Sequence, residues 1–117
     1  MASNDTPYNW SINRVRGNPL NFSFMIYDNN RDPLSLSGFT VGMAFANNQY
    51  FSGTGSYYVT EGSGISMDRP NGIVSVSIPA SDLDEFPIYS PMFYKINITE
   101  PGEDEKTYIV GSLTNSG

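Results

Sequence analysis

The side chains that could do chemistry in this chain are carboxylates, and nine of the 12 fall in three groups: Asp28 and Asp32 with Asn30 between them, then Asp82, Asp84 and Glu85, then Glu100, Glu103, Asp104 and Glu105. The first group resembles the opening of a calcium loop, in which oxygen ligands recur at every second position. Its continuation is missing. Pro33 stands where the sharp-turn glycine belongs and Phe39 where the bidentate glutamate belongs, so a helix-loop-helix calcium site is excluded and only an opportunistic ion at a β-turn is left. The second group is too close-set to flank a substrate from two sides, and the third lies in a turn where solvation accounts for acidic side chains. The chain has no histidine and no cysteine, which removes the commonest general base and the strongest nucleophile at neutral pH. The expectation is a protein that is not an enzyme, with no catalytic, cofactor-binding or metal-binding residues.

What remains for recognition is aromatic surface. Tyr50, Phe51, Tyr57 and Tyr58 are the candidate partner-binding residues, able to fill a partner's pocket or stack on a sugar. The plainer alternative is a strand pair that adds to the core. Because successive residues of a strand point to opposite faces, at least one of the neighbours Tyr57 and Tyr58 must turn away from the interior.

The elements that position these residues are strands. Seven Phe, eight Tyr and one Trp favour β structure, while 11 Gly and 8 Pro supply the turns between strands. A chain of 117 residues supports one domain. Without cysteine there is neither a disulfide framework nor a thiolate metal site. The net charge of −6 repels a phosphate backbone, which argues against nucleic-acid binding. Met1 to Asp5 is polar and acidic, and no apolar run approaches the ~18 residues of a membrane span, so neither a secretory signal nor a membrane partner is expected.

Residues 1–8 read as a flexible arm, 9–113 as the folded domain and 114–117 as a loose tail. Trp10, Ile12 and Arg14 alternate with Ser11 and Asn13 as an edge strand, ahead of the turn Arg16-Gly17-Asn18-Pro19. Leu20, Phe22, Phe24 and Ile26 then share one face of a second strand. The most strongly patterned stretch follows the loop Asp28 to Pro33: Pro33 and Gly38 frame a turn, Leu34 and Leu36 dip toward the core, and Phe39, Val41, Met43 and Phe45 alternate with small residues. Gly38 is expected at a positive φ. Ile65 to Met67, an Asn71-Gly72 turn and the alternation Val74, Val76, Ile78 give further strands, and Ser81 is a candidate cap for a single helical turn. Met92, Tyr94, Ile96 and Ile98 form one face of a long strand, and Tyr108 to Leu113 the last. About seven strands at near-regular spacing, with no amphipathic helix, point to an antiparallel sandwich. Asn4-Asp5-Thr6, Asn9-Trp10-Ser11, Asn21-Phe22-Ser23 and Asn97-Ile98-Thr99 match the glycosylation triplet, which is expected to have no meaning here because no secretory signal is expected.

The order of these elements resembles a known family. An Asp-rich hairpin followed by Pro33-Leu34-Ser35-Leu36-Ser37-Gly38, then Gly64-Ile65-Ser66-Met67, the Asn71-Gly72 turn and Pro79-Ala80-Ser81-Asp82-Leu83, is similar to the immunoglobulin-like domains of tailed-phage virion proteins, such as the amino-terminal domain of upper baseplate proteins. The match spans about Ile12 to Leu113, and its motifs are structural. One departure is Phe93-Tyr94, where a Gly-x-Tyr element is common in the relatives. The resemblance implies an immunoglobulin-like antiparallel β-sandwich of about seven to nine strands. It also implies a non-enzymatic structural component of a bacteriophage virion, attached to the tail or baseplate and joining or decorating other virion proteins in multiple symmetric copies. Alternatives are a capsid-surface cement or decoration protein and a host-surface carbohydrate-binding module.

Overall fold

The computed structural model describes residues 8–46, 57–86 and 91–116. Among them nine strands follow one another: β1 (Tyr8–Asn9), β2 (Ile12–Val15), β3 (Leu20–Met25), β4 (Thr40–Ala46), β5 (Tyr57–Glu61), β6 (Gly64–Asp68), β7 (Ile73–Ile78), β8 (Met92–Thr99) and β9 (Lys106–Ser116). One helical turn, α1 (Ala80–Leu83), stands between β7 and β8. The fold is all-β, as the aromatic- and glycine-rich composition implies.

The strands line up as β1-β9-β8-β4-β5-β6-β7-β3, with β2 also paired to β9. This path curls until its two ends face each other. Phe24 of β3 stacks on Tyr108 of β9 at 5.9 Å, and Phe22 meets Trp10, between β1 and β2, edge-on at 5.0 Å.

The expectation of a purely antiparallel arrangement is corrected, because β1 and β2 run parallel to β9 and β5 runs parallel to β6. Parallel neighbours need a long connection. The first and last strands of a domain satisfy that condition, with nearly the whole chain between them. The β5–β6 contact is a corner of two residue pairs, Thr60 with Gly64 and Glu61 with Ile65, closed by Gly62 N–H to Ile65 O and Ser63 N–H to Thr60 O, both 2.9 Å.

The inward face of β4 carries Val41, Met43 and Phe45, each buried and each directly opposite Ile98, Ile96 or Tyr94 of β8. Phe45 is fully buried, with the rings of Phe86, Tyr57 and Tyr94 5.4, 5.9 and 5.9 Å away. Leu20, Phe22 and Phe24 share one face of β3 as their alternation predicts, but they are only half-buried because they line the seam where the curled ends meet. In the turn that feeds β4, Pro33 bridges Tyr27, Leu36 is fully buried, and Gly38 takes φ 80° with Pro101 so close that a Cβ would stand 2.8 Å from its Cγ.

Two further expectations change. Ser81 does not cap α1: the helix begins at Ala80 behind Pro79, whose φ of −66° already suits a helix start and which offers no capping side chain. The tail is not loose from Thr114, since β9 continues to Ser116 and pairs Ile12 with Leu113 through to Val15 with Ser116. Polar residues ended the apolar pattern there, yet Asn115 is 1% exposed because it answers a buried arginine. Of the arm, Tyr8 belongs to β1, and residues 1–7 lie outside the described residues.

The main chain of Trp10 lies directly on Gly111 of β9, where a Cβ would stand 1.8 Å from the Trp10 carbonyl oxygen. That same oxygen accepts a hydrogen bond from the Tyr94 hydroxyl. Gly42 of β4, by contrast, has its nearest neighbour 4.0 Å from such a Cβ. Gly111→Ala is therefore expected to lower the melting temperature sharply and Gly42→Ala to leave it nearly unchanged, as thermal unfolding of the two variants will measure. Phe45→Ala should cost about 3–5 kcal/mol in denaturant unfolding, the usual range for emptying a phenylalanine site in a core.

Candidate interaction surface

Strand alternation separates the adjacent tyrosines. Tyr57 pairs with Phe45 across β4 and β5 and turns inward, packing on Phe45 and Phe86, each with ring centroids 5.9 Å away. Its hydroxyl donates to Asp82 Oδ2 at 2.7 Å, and burial, then that hydrogen bond, push its pKa up to about 12. Tyr57 is thus half-buried against the core, with its hydroxyl held by Asp82. Tyr58 pairs with Ala44 and turns outward, 69% exposed. Tyr50 and Phe51 lie outside the described residues.

Around Tyr58 the outer face of β4, β5 and β8 is dished. Gly42 and Ala44 sit in register between Thr60 and Tyr58 of β5 on one side and Asn97 and Lys95 of β8 on the other. The small central residues form the floor of a trough of about 300 Å³, which Glu105 also lines. The Asn97 side-chain oxygen accepts from Thr107 Oγ1 at 2.9 Å, which orients the amide. The trough presents one aromatic ring beside amide, hydroxyl and charged groups, a combination suited to a polar ligand with an apolar face. The thin face of β4 was legible in the sequence. Lys95 and Asn97 were not, because only cross-strand register brings them beside Tyr58.

Several carboxylates have structural duties. Asp28 Oδ1 accepts the N–H groups of Asn30 at 2.8 Å and Asp32 at 3.0 Å, which folds the loop on itself and holds Arg31 at φ 65°. Asp82 holds Tyr57. Asp84 Oδ1 accepts from Arg14 Nη2 at 2.6 Å and from the Gly17 N–H at 3.1 Å, and these bonds, Arg14 first, hold its carboxyl below the ordinary carboxylate range. Glu61 is likewise lowered by its hydrogen bonds from Arg69, at 2.7 and 2.9 Å. Among the described residues no group of three or more His, Cys, Asp or Glu could hold a metal ion. No helix of the described residues is long and apolar enough to cross a membrane.

No family model matches the chain, and no curated protein does. Among solved structures it is similar to extracellular domains 3–5 of Drosophila OTK, at 14% identity and a TM-score of 0.40. That alignment covers 90% of this chain and 32% of the other, so the chain spans about a third of its length. A likeness of that degree bears on neither activity nor partners.

Because the Asp84 pKa is lowered in the folded state, its contribution to stability is complete above the ordinary carboxylate range and is lost as pH falls through the lowered value. Acid titration of the unfolding transition should register this loss, and Asp84→Asn should be less stable at neutral pH yet lose less on acidification. An identical acid response in the variant would show that the Arg14 contact is not what lowers Asp84.

Proposed function

We propose that the chain is an immunoglobulin-like domain serving as a non-enzymatic structural component of a tailed-phage virion, attached to the tail or baseplate and joining or decorating other virion proteins. The observation that carries this reading is the run Pro33 to Gly38, the motif of the resemblance, which makes the turn into the central strand with Leu36 fully buried and Gly38 at φ 80°. The strand order supports it. β3-β7-β6 and β9-β8-β4-β5 reproduce the neighbour relations of the two sheets of a variable-type immunoglobulin domain, and β2 returns alongside the last strand. The engagement of Asp82, Asp84 and Asp28 within the fold supports a reading in which the surface is the means of action.

A capsid decoration protein would use the same surfaces at many more sites per particle. A carbohydrate-binding module for the host surface is the second reading, favoured by Tyr58 standing over the trough floored by Gly42 and Ala44. Both would be recognised without a cofactor, nucleic acid or membrane.

Quantitative mass spectrometry of purified phage particles is the test. Copies in low multiples of the tail symmetry are expected, copies in the hundreds per head would favour capsid decoration, and absence from particles would overturn the virion reading. Tyr58→Ala should leave the melting temperature unchanged and weaken incorporation, or glycan binding under the second reading, because the side chain supports nothing in the core.

A further inference from the structure

β3 ends the path of paired strands, and among the described residues no strand lies along its outer edge. Natural sheets blunt such an edge with charge, proline, a bulge or brevity. This one has none of these: Leu20–Met25 is six residues long, carries no charged side chain and no proline, and pairs with β7 without a break in register. Ile26 N–H donates to Gly72 O at 2.8 Å, one step beyond the Met25–Ile73 pair, so the even-numbered residues direct their main-chain groups at β7. Alternation then turns the N–H and C=O of Asn21, Ser23 and Met25 toward the open edge.

We propose that this edge pairs antiparallel with the β3 edge of a second copy of the chain, about a two-fold axis at Ser23. The strand is its own complement in that register. Ser23 meets Ser23 of the partner subunit, Asn21 meets the partner's Met25, and the three open-edge residues exchange their main-chain hydrogen bonds. On the inner face Phe22 meets the partner's Phe24, extending the row of rings in which Trp10, Phe22, Phe24 and Tyr108 already stand at centroid spacings of 5.0, 6.5 and 5.9 Å. Phe22 and Phe24 are half-buried and Trp10 is 42% exposed in the single copy, so apolar surface remains to be covered. Charge agrees with the pairing. Antiparallel alignment sets the turn before β3, with exposed Arg16, beside the partner's loop after β3, in which Asp28 and Asp32 outnumber the exposed Arg31. An isologous contact of this kind closes on itself and makes a dimer, not a fibre. The proposal rests on the strand edge and stands apart from the virion reading.

The test uses the purified full chain. Sedimentation at rising concentration should give a mass approaching twice 12.9 kDa. Ser23→Pro removes an N–H that faces the open edge while sparing the bonds to β7, so it should return the mass to that of one chain with the fold retained by circular dichroism. A second variant guards against misfolding of the first. The chain has no cysteine, and opposed residues of a hydrogen-bonded antiparallel pair lie about 5.5 Å apart between Cα atoms, within disulfide reach. Ser23→Cys should then form a covalent dimer under mild oxidation at least tenfold faster than Ser37→Cys in the exposed turn before β4. A single-chain mass at every concentration, equal cross-linking of the two cysteine variants, or a dimer that survives in folded Ser23→Pro would each overturn the pairing.

Discussion

The guanidinium of Arg14 is the contact on which one whole end of the domain depends. The residue is 5% exposed, and its donors are spent on four acceptors in three elements: Asn18 O in the turn before β3 at 2.7 Å, Asn115 Oδ1 of β9 at 2.9 Å, and Ala80 O at 3.3 Å and Asp84 Oδ1 at 2.6 Å around α1. Asn115 in turn donates to Leu83 O at 2.9 Å, so the last strand is tied to the helical turn by the same network. A buried charge is tolerable only when paired and hydrogen-bonded, and removing one partner leaves the rest exposed to the full desolvation cost. This pairing fixes the position of α1, and with it Leu83 and Phe86 over the core beside Phe45.

The opposite constraint acts where the amino-terminal segment crosses β9. There the requirement is absence of a side chain: Gly111 lets the main chain of Trp10 lie against the strand, and the Tyr94 hydroxyl then satisfies the Trp10 carbonyl from within the core. Trp10 N–H donates to Val110 O at 2.9 Å, continuing the parallel pairing between β1 and β2. Together the glycine and the arginine hold the first strands along the last one. That arrangement brings Trp10 and Tyr108 opposite Phe22 and Phe24, and so produces the seam of half-covered rings.

Function, on this view, follows from what the core leaves over. The large residues of β4 all face inward, so its outer face is made of Gly42 and Ala44 and becomes the floor of the trough beside Tyr58. β3 ends the path of paired strands and keeps an open edge among the described residues. Both surfaces suit recognition of other molecules, and neither needs a reactive group.

Much of this was legible in the residues. Period-two alternation located β3, β4, β7 and β8 and the side that each one buries, because a strand's side-chain period does not depend on its neighbours. Gly38 was readable as a positive-φ turn residue, and the splitting of Tyr57 from Tyr58 followed from their adjacency. Tertiary structure alone decided which of those two faces the core, since that depends on β5 pairing Tyr57 with Phe45 and not with Ala44. It also decided that Thr114 to Ser116 belong to β9 and that Arg14 is buried. A polar residue in a strand reads as solvent-facing until its hydrogen-bond partners are known. Three of the four acceptors of Arg14 lie 66, 70 and 101 residues away, a distance over which local pattern has no information.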